Sequence, residues 1–364
     1  MEYRTQYQHL LPELNQALAG VLDSGRFILG PNVRAFEEEV ARYLGVRHAI
    51  GVANGTDAIM LSLRALGIGP GDEVICPAYT FYATAEAIAA IGARPVFADI
   101  TETTYTLDPK SVRAKLSPRT KALLPVHLLG QPADMDELRA LAAEHHLVLI
   151  EDAAQAFGAT YKGQRVGGLG DAGTFSFFPT KNLPCFGDGG LVVTQRDDVA
   201  ELVRTLRFHG TRDRLVFEHV GYNSRLDEIQ AAVLRLFLRE LDGWNSSRQA
   251  IAARYREAGL GELVALPHVR DDRTHVYHLY FVRTAQRAAI QQACQQAGVA
   301  AGAFYETPLH LQPVFAHLGG RRGDLPVTEA MCAEGLALPM FVTLPPEHVQ
   351  QIVAAVRAGV ARGP

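Results

Sequence analysis

The chain has 364 residues, of which 48% are hydrophobic and 20% charged, and a formal net charge of −4. That composition suits an ordinary globular protein with a large core and two domains, and it excludes a disordered chain. The slight negative charge offers no basic field for nucleic acid, and no apolar run approaches the roughly 18 residues that a membrane span needs.

The opening "MEYRTQYQHLLPELNQAL" is polar and amphipathic and lacks the apolar centre of a signal peptide. Next, "HAIGVA" reads as a strand, "TDAIMLSLRAL" as a helix and "GPGDEVICP" as a turn and a strand. "TFYATAEAIAAIG" reads as a helix, "ARPVFAD" and "KALLPVH" as strands, "DMDELRALAAEHH" as a helix and "LVLIED" as a strand. This alternation predicts βαβ units and a mostly parallel sheet covered on both faces. "GDAGTFSFF" and "GGLVVT" then read as strands close in sequence, followed by "RDDVAELVRTLRFHG" and the long "SRLDEIQAAVLRLFLRELDGWNSSRQAIAARYREAGL" as helices. A mixed segment closes the chain, with "HVYHLYFVR" as a strand and "PPEHVQQIVAAVRAGV" as a helix. The predicted domains are residues 1–245 and 246–364. The four cysteines (Cys76, Cys185, Cys294, Cys332) are scattered without a CxxC, which predicts no disulfide frame, no metal site and a reducing cytoplasm.

In open α/β sheets, ligands bind beyond the carboxyl ends of the strands. Four places meet that rule. In "GVANGTDAIM", Gly55 permits close backbone approach and Thr56 can cap the next helix, so free amides and the helix dipole make an anion site; an ordinary capped turn is the alternative. In "LVLIEDAAQAFGA", Asp152 ends an apolar strand with Gln155 just beyond it, as a buried acid needing a partner or as a helix cap. In "FSFFPTKNLPCFGDGG", Ser176 can give a hydroxyl to an anion, and Lys181 is either a surface lysine or a desolvated amine able to form an imine. In "GYNSRLDEIQ", Asn223 reads as a cap and Arg225 as a partner for carboxylate or phosphate. Gly168-x-Gly170-x-x-Gly173 matches a dinucleotide pattern, but it leads into a strand where that pattern opens a helix. His127, His209 and His310 are not at metal-ligand spacing.

An anion cup, an acid at a strand end and a lysine past a later strand are what pyridoxal phosphate needs for its phosphate, ring nitrogen and aldehyde. With these motifs in this order, the sequence resembles the DegT/DnrJ/StrS nucleotide-sugar aminotransferases. The resemblance spans nearly the whole chain and is also carried by "GRFILGPNVRAFEEEVARYLGV", "PVHLLGQPADMDEL" and "PLHLQPVF". It implies an α/β, aspartate-aminotransferase-like (fold type I) architecture: a large domain with a mostly parallel sheet, plus a smaller C-terminal α+β domain.

By resemblance, Lys181 holds the cofactor as an imine and shuttles protons, and Asp152 pairs with the pyridine nitrogen. Gln155 stands near the ring hydroxyl, Gly55, Thr56 and Ser176 form the phosphate cup, and Phe81 stacks on the ring, although a core aromatic is the alternative for Phe81. Asn223 matches a phosphate contact given to a second subunit, which implies a homodimer. Arg225, Tyr305 and His310 match positions near substrate or in the structure around it. The implied reaction uses pyridoxal 5′-phosphate and its pyridoxamine form to move an amino group from L-glutamate to a nucleotide-linked keto sugar. Phe178 and Pro179, where C4-acting members carry "SFHATK", resemble members acting at C3 of a dTDP-3-keto-6-deoxyhexose or of a UDP-3-keto-N-acetylglucosaminuronic acid, and "GYNSRLDE" leans toward the dTDP sugar. Phe157 leans instead toward a UDP-3-keto-N-acetylglucosaminuronic acid, and a C4 keto sugar is a further alternative. Leu129 and Pro184-Cys185 also depart from the family pattern, near the expected sugar end. A sugar dehydratase on the same fold lacks the lysine, and a cofactor-binding regulator lacks support from any basic patch.

Overall fold

The structure, a computed structural model, describes residues 3–363. Its centre is a seven-stranded sheet of β1 (His48–Val52), β2 (Glu73–Pro77), β3 (Arg94–Ala98), β4 (Thr120–Leu123), β5 (Val148–Asp152), β8 (Ala172–Ser176) and β9 (Gly190–Thr194). A two-residue hairpin, β6 (Thr160–Tyr161) and β7 (Gln164–Arg165), lies between β5 and β8. The order is β1-β9-β8-β5-β4-β2-β3, with β3, β2, β4, β5 and β8 parallel and β9 antiparallel to both of its neighbours. The expected mostly parallel sheet is therefore present. Every residue of β2 and β9 is buried, as strands covered on both faces require.

Register gathers the strand ends. Gly190 at the start of β9 pairs with Val52 at the end of β1 and with Ser176 at the end of β8. "KALLPVH" is shorter as a strand than its sequence suggests, because β4 stops at Leu123. Pro125 has no amide to donate, so its carbonyl alone bonds Asp152 N–H at 2.9 Å, and His127 N–H returns to Asp152 O at 2.9 Å.

The C-terminal part has a second sheet, β10 (Tyr280–Arg283) with β11 (Gly335–Leu338), antiparallel. "HVYHLYFVR" is a strand only in its second half. Its first half turns sharply, with Tyr277 at φ 45°, and docks on a tight turn: Val276 N–H bonds Gly130 O at 2.9 Å. A Cβ on Gly130 would lie 2.9 Å from the amide nitrogens of both Tyr277 and His278, so the approach demands glycine.

Helix Glu228–Glu257 joins the two parts. Its Phe237, Leu241 and Trp244 enter the core under the large sheet, and its Ile251, Ala252 and Tyr255 enter a second core with Tyr280, Leu336 and Val356. Residue 245 falls inside this continuous helix, where the buried face passes from one core to the other.

Candidate active site

The end of β1 leads into the helix Gly55–Ala65. The capping residue is Asn54, not Thr56 as expected: its side chain accepts the Asp57 amide at 2.8 Å. Asn54 has extended backbone just before the first helical residue, which is the geometry a cap needs. The first intrahelical bond is Ala58 N–H to Asn54 O, which leaves the Gly55 and Thr56 amides for an anion. A Cβ on Gly55 would lie 2.7 Å from Ser176 Cβ, so the helix start presses against the end of β8. Ser176 Oγ accepts the Phe178 amide at 3.3 Å, which keeps its own proton for a ligand.

Consecutive residues of β5 point to opposite faces. Asp152 faces the helix Ala83–Ala90, where Thr84 Oγ1 donates to Oδ2 at 2.8 Å, while the Ala154 amide donates to Oδ1 at 3.2 Å. Burial pushes the Asp152 carboxyl above its ordinary range, opposed by Thr84, Ala154, Lys181 and His127. Glu151 faces the other way and is sealed from solvent. Its carboxylate accepts from Gly167 N at 2.7 Å, Leu169 N at 2.6 Å, Gly170 N at 2.8 Å and His127 Nε2 at 2.9 Å. The glycine run that resembled a dinucleotide loop therefore wraps an internal carboxylate. His127 Nδ1 accepts the Ala133 amide at 3.0 Å, so its Nε2 carries the proton given to Glu151. Glu151→Gln puts an NH2 where amides converge; it is expected to cost about 3 kcal/mol of folding stability, read as a lower urea midpoint at unchanged m value.

Lys181 follows β8 in the turn that closes on Phe178 O. Among the described residues its amine has no hydrogen-bond or ion-pair partner. Burial brings its pKa down from the ordinary lysine value to about 8, with the Asp152 charge pulling upward. The amine is thus a nucleophile near neutral pH. Gln155 Oε1 accepts the Leu129 amide at 2.7 Å, and its Nε2 donates to Tyr305 Oη at 3.2 Å. The Tyr305 ring lies 6.0 Å from that of Phe81, which is 54% exposed and so is no core aromatic.

Gly55, Thr56, Ser176, Asp152, Gln155, Lys181, Phe81 and Tyr305 thus surround the carboxyl ends of β1, β5 and β8. The remaining candidates stand differently. Asn223 is exposed, and its backbone bridges Phe208. Arg225 lies over the Phe208 ring at 5.7 Å. His310 is buried and pairs through Nε2 with Glu329 at 3.2 Å, in a cleft with Arg94 and Leu318. Phe157 and two of the positions that depart from the family pattern, Leu129 and Cys185, are packing residues. Phe157 stacks on Tyr43 and meets Phe175 at 4.7 Å, Leu129 lies in an apolar cluster, and Cys185 is buried with its thiol on Gly187 O. Thr84 escaped the sequence reading because nothing local ties it to Asp152, 68 positions away.

Among the described residues, no group of three or more His, Cys, Asp or Glu could hold a metal ion, and no helix is long and apolar enough to cross a membrane. A curated relative from Geobacillus stearothermophilus named "Pleiotropic regulatory protein" is 48% identical over 97% of this chain and 96% of its own length. The dTDP-3-amino-3,4,6-trideoxy-alpha-D-glucose transaminase of Streptomyces venezuelae is 46% identical over 100% of this chain and 96% of its own. Among solved structures, S. venezuelae DesV in complex with a ketimine intermediate superposes with a TM-score of 0.96 at 46% identity, covering 100% of this chain and 98% of that one. The Bacillus subtilis protein ntda with bound cofactor PMP gives 0.89 at 32% identity, covering 96% of this chain and 82% of that one. These neighbours share the fold type I architecture that the resemblance implied. The sequence pattern of one family spans residues 9–357, and with the lysine, acid and anion cup placed as described, the chain belongs to the DegT/DnrJ/EryC1/StrS aminotransferase family.

Proposed function

We propose that this enzyme transfers the amino group of L-glutamate to the C3 keto group of a dTDP-linked 3-keto-6-deoxyhexose, using pyridoxal 5′-phosphate. The carrying observation is the unpartnered Lys181 amine beside the buried Asp152 carboxylate. The residues present fit the cofactor: the free Gly55 and Thr56 amides and the Ser176 hydroxyl suit its phosphate, and Gly55 leaves no room for a side chain in that cradle. When bound, pyridoxal 5′-phosphate supplies an electron-withdrawing ring and carries the amino group between the two substrates in its pyridoxamine form.

The chain's own residues do the rest. Lys181, partly neutral near pH 8, takes a proton from one substrate and returns it to the other. Asp152, steadied by Thr84, holds the proton of the ring nitrogen. Gln155 and Tyr305 fix one edge of the site, and Phe81 offers an exposed ring face for stacking. Arg225 and His310 serve the surroundings of the site rather than its chemistry.

A homodimer with shared sites is supported by the exposed apolar side chains Leu215, Val216, Phe217 and Val220, which run toward Asn223. Asn223 then reaches the partner's phosphate cup. Residues 1–245 form the cofactor-binding domain and 246–364 the smaller domain, sharing the long helix. Four buried free cysteines support a cytoplasmic location. A purely regulatory role leaves the lysine, the acid and the cup without a purpose together.

The test is a panel of dTDP- and UDP-linked 3-keto and 4-keto sugars with L-glutamate, with products mapped by NMR. A C3 amine on the dTDP-3-keto-6-deoxyhexose is expected. Turnover confined to UDP-3-keto-N-acetylglucosaminuronic acid or to a 4-keto sugar overturns the substrate assignment.

A further inference from the structure

Strand β1 leads into the anion cup, yet it stands at the edge of the large sheet, with β9 on one side and no strand on the other. Its outward backbone groups need partners that the sheet cannot give. At Gly51 those partners are charged. The Gly51 amide donates to Glu37 Oε1 at 2.8 Å, Arg207 Nη1 donates to Gly51 O at 2.7 Å, and the same nitrogen reaches Glu37 Oε1 at 2.6 Å. Glu37 comes from the helix Pro31–Leu44 and Arg207 from the end of the helix Asp197–Leu206, and both side chains are largely buried. A Cβ on Gly51 would lie 2.9 Å from Leu226 Cβ, so the clamp closes on bare backbone.

Two residues on, the last amide before the helix cap is held from the same side. Ala53 N–H donates to Ser224 Oγ at 3.1 Å, and Ser224 is sealed from solvent. Ser224 N–H in turn donates to Arg207 O at 3.0 Å. Arg207 therefore grips β1 with its guanidinium and Ser224 with its carbonyl. Next along the chain is Asn54, whose carbonyl lies so close to Gly190 that a Cβ there would meet it at 2.1 Å, and then come the Gly55 and Thr56 amides. A neutral side chain would satisfy an edge carbonyl as well as Arg207 does. A buried ion pair adds short, charge-assisted bonds that hold the strand in one place, although burying it costs desolvation. That cost falls where small displacements matter, because amides aimed at an anion weaken steeply as distance and angle depart from the ideal.

We infer that Ser224, backed by the Arg207–Glu37 pair, is a positioning residue for the phosphate cup. Fixing Gly51 and Ala53 sets the direction in which the Gly55 and Thr56 amides point. The clamp thus governs affinity for the phosphate group and leaves the ring contacts and Lys181 alone. The inference rests on the amino-transfer reading above.

The test uses the full-length chain freed of cofactor, titrated with pyridoxal 5′-phosphate and, separately, with pyridoxal, which lacks the phosphate. Absorbance of the lysine-bound aldehyde reads both dissociation constants. Ser224→Ala is expected to weaken pyridoxal 5′-phosphate about tenfold and pyridoxal less than about twofold. Arg207→Met is expected to show the same selectivity with a larger loss. It leaves Glu37 buried without its partner, so Ser224→Ala, checked by near-UV circular dichroism, carries the test if that variant does not fold. Because Ser224 follows Asn223, the comparison is repeated in Asn223→Ala, where Ser224→Ala is expected to cause the same selective loss. Equal losses for the two aldehydes mean general loosening and overturn the inference. So does an unmoved affinity for pyridoxal 5′-phosphate in Ser224→Ala, or a selective loss that vanishes in Asn223→Ala. A wild type that binds neither aldehyde at Lys181 strikes the amino-transfer reading and the inference with it, whereas a wild type that binds pyridoxal 5′-phosphate beside an unmoved variant strikes the inference alone.

Discussion

Lys181→Ala is expected to abolish amino transfer, lowering kcat by at least about four orders of magnitude. The amine is nucleophilic near neutral pH and, among the described residues, has no hydrogen-bond or ion-pair partner. Purified wild-type protein is expected to absorb in the visible range through the lysine-bound cofactor, and L-glutamate is expected to bleach that band. The alanine variant should lack the band yet still bind pyridoxamine phosphate, because Gly55, Thr56, Ser176 and Asp152 are untouched. Lys181→Arg should not rescue turnover, since a guanidinium keeps its proton and cannot serve as the amine. Full turnover in the alanine variant would sink the mechanism.

Asp152→Asn comes second in size. The amide fills the same space and can accept from Thr84, so the fold should survive. What it removes is the negative charge, and with it the hold on the ring nitrogen's proton. A fall of about 10²–10⁴-fold in kcat is expected, with smaller losses in substrate KM. The variant also makes a signed prediction about Lys181. The Asp152 charge raises the lysine pKa against burial, so its loss should carry the Lys181 midpoint below about 8. Acetylation of Lys181 with limiting acetic anhydride across pH, its peptide quantified by mass spectrometry, reads that shift. A midpoint that moves upward would contradict the electrostatic account. Thr84→Val tests the arrangement more gently: it leaves the carboxylate but removes a 2.8 Å hydrogen bond from its buried oxygen, so Asp152 should be harder to ionise.

Much of this was legible in the chain. Apolar runs of strand length alternating with helical periodicity dictate a mostly parallel sheet, because such strands must be buried on both faces. Asp152 ends one of those runs and Lys181 stands just past another, so the strand-end rule marks both as candidates and the family resemblance gives them their roles. Gly55 after an apolar strand marks the cup, although the cap itself is Asn54, one residue before the helix rather than within it. The direction of the Phe157 side chain is not legible, because an aromatic near a catalytic motif looks the same in sequence whether it points at substrate or into the core. Its neighbours Tyr43 and Phe175 decide that, and neither is local.

The sequence by itself determined the layered architecture, through local periodicity, and it marked the lysine and the acid as strand-end candidates whose roles come from the family resemblance. Only the tertiary structure decided how those groups are tuned. The strand order sets Gly190 between Val52 and Ser176, brings Thr84 onto Asp152 and folds the Gly167–Gly170 turn around Glu151. Hydrogen bonds and desolvation act over a few ångströms in space, and the residues that supply them here lie tens of positions apart in the chain.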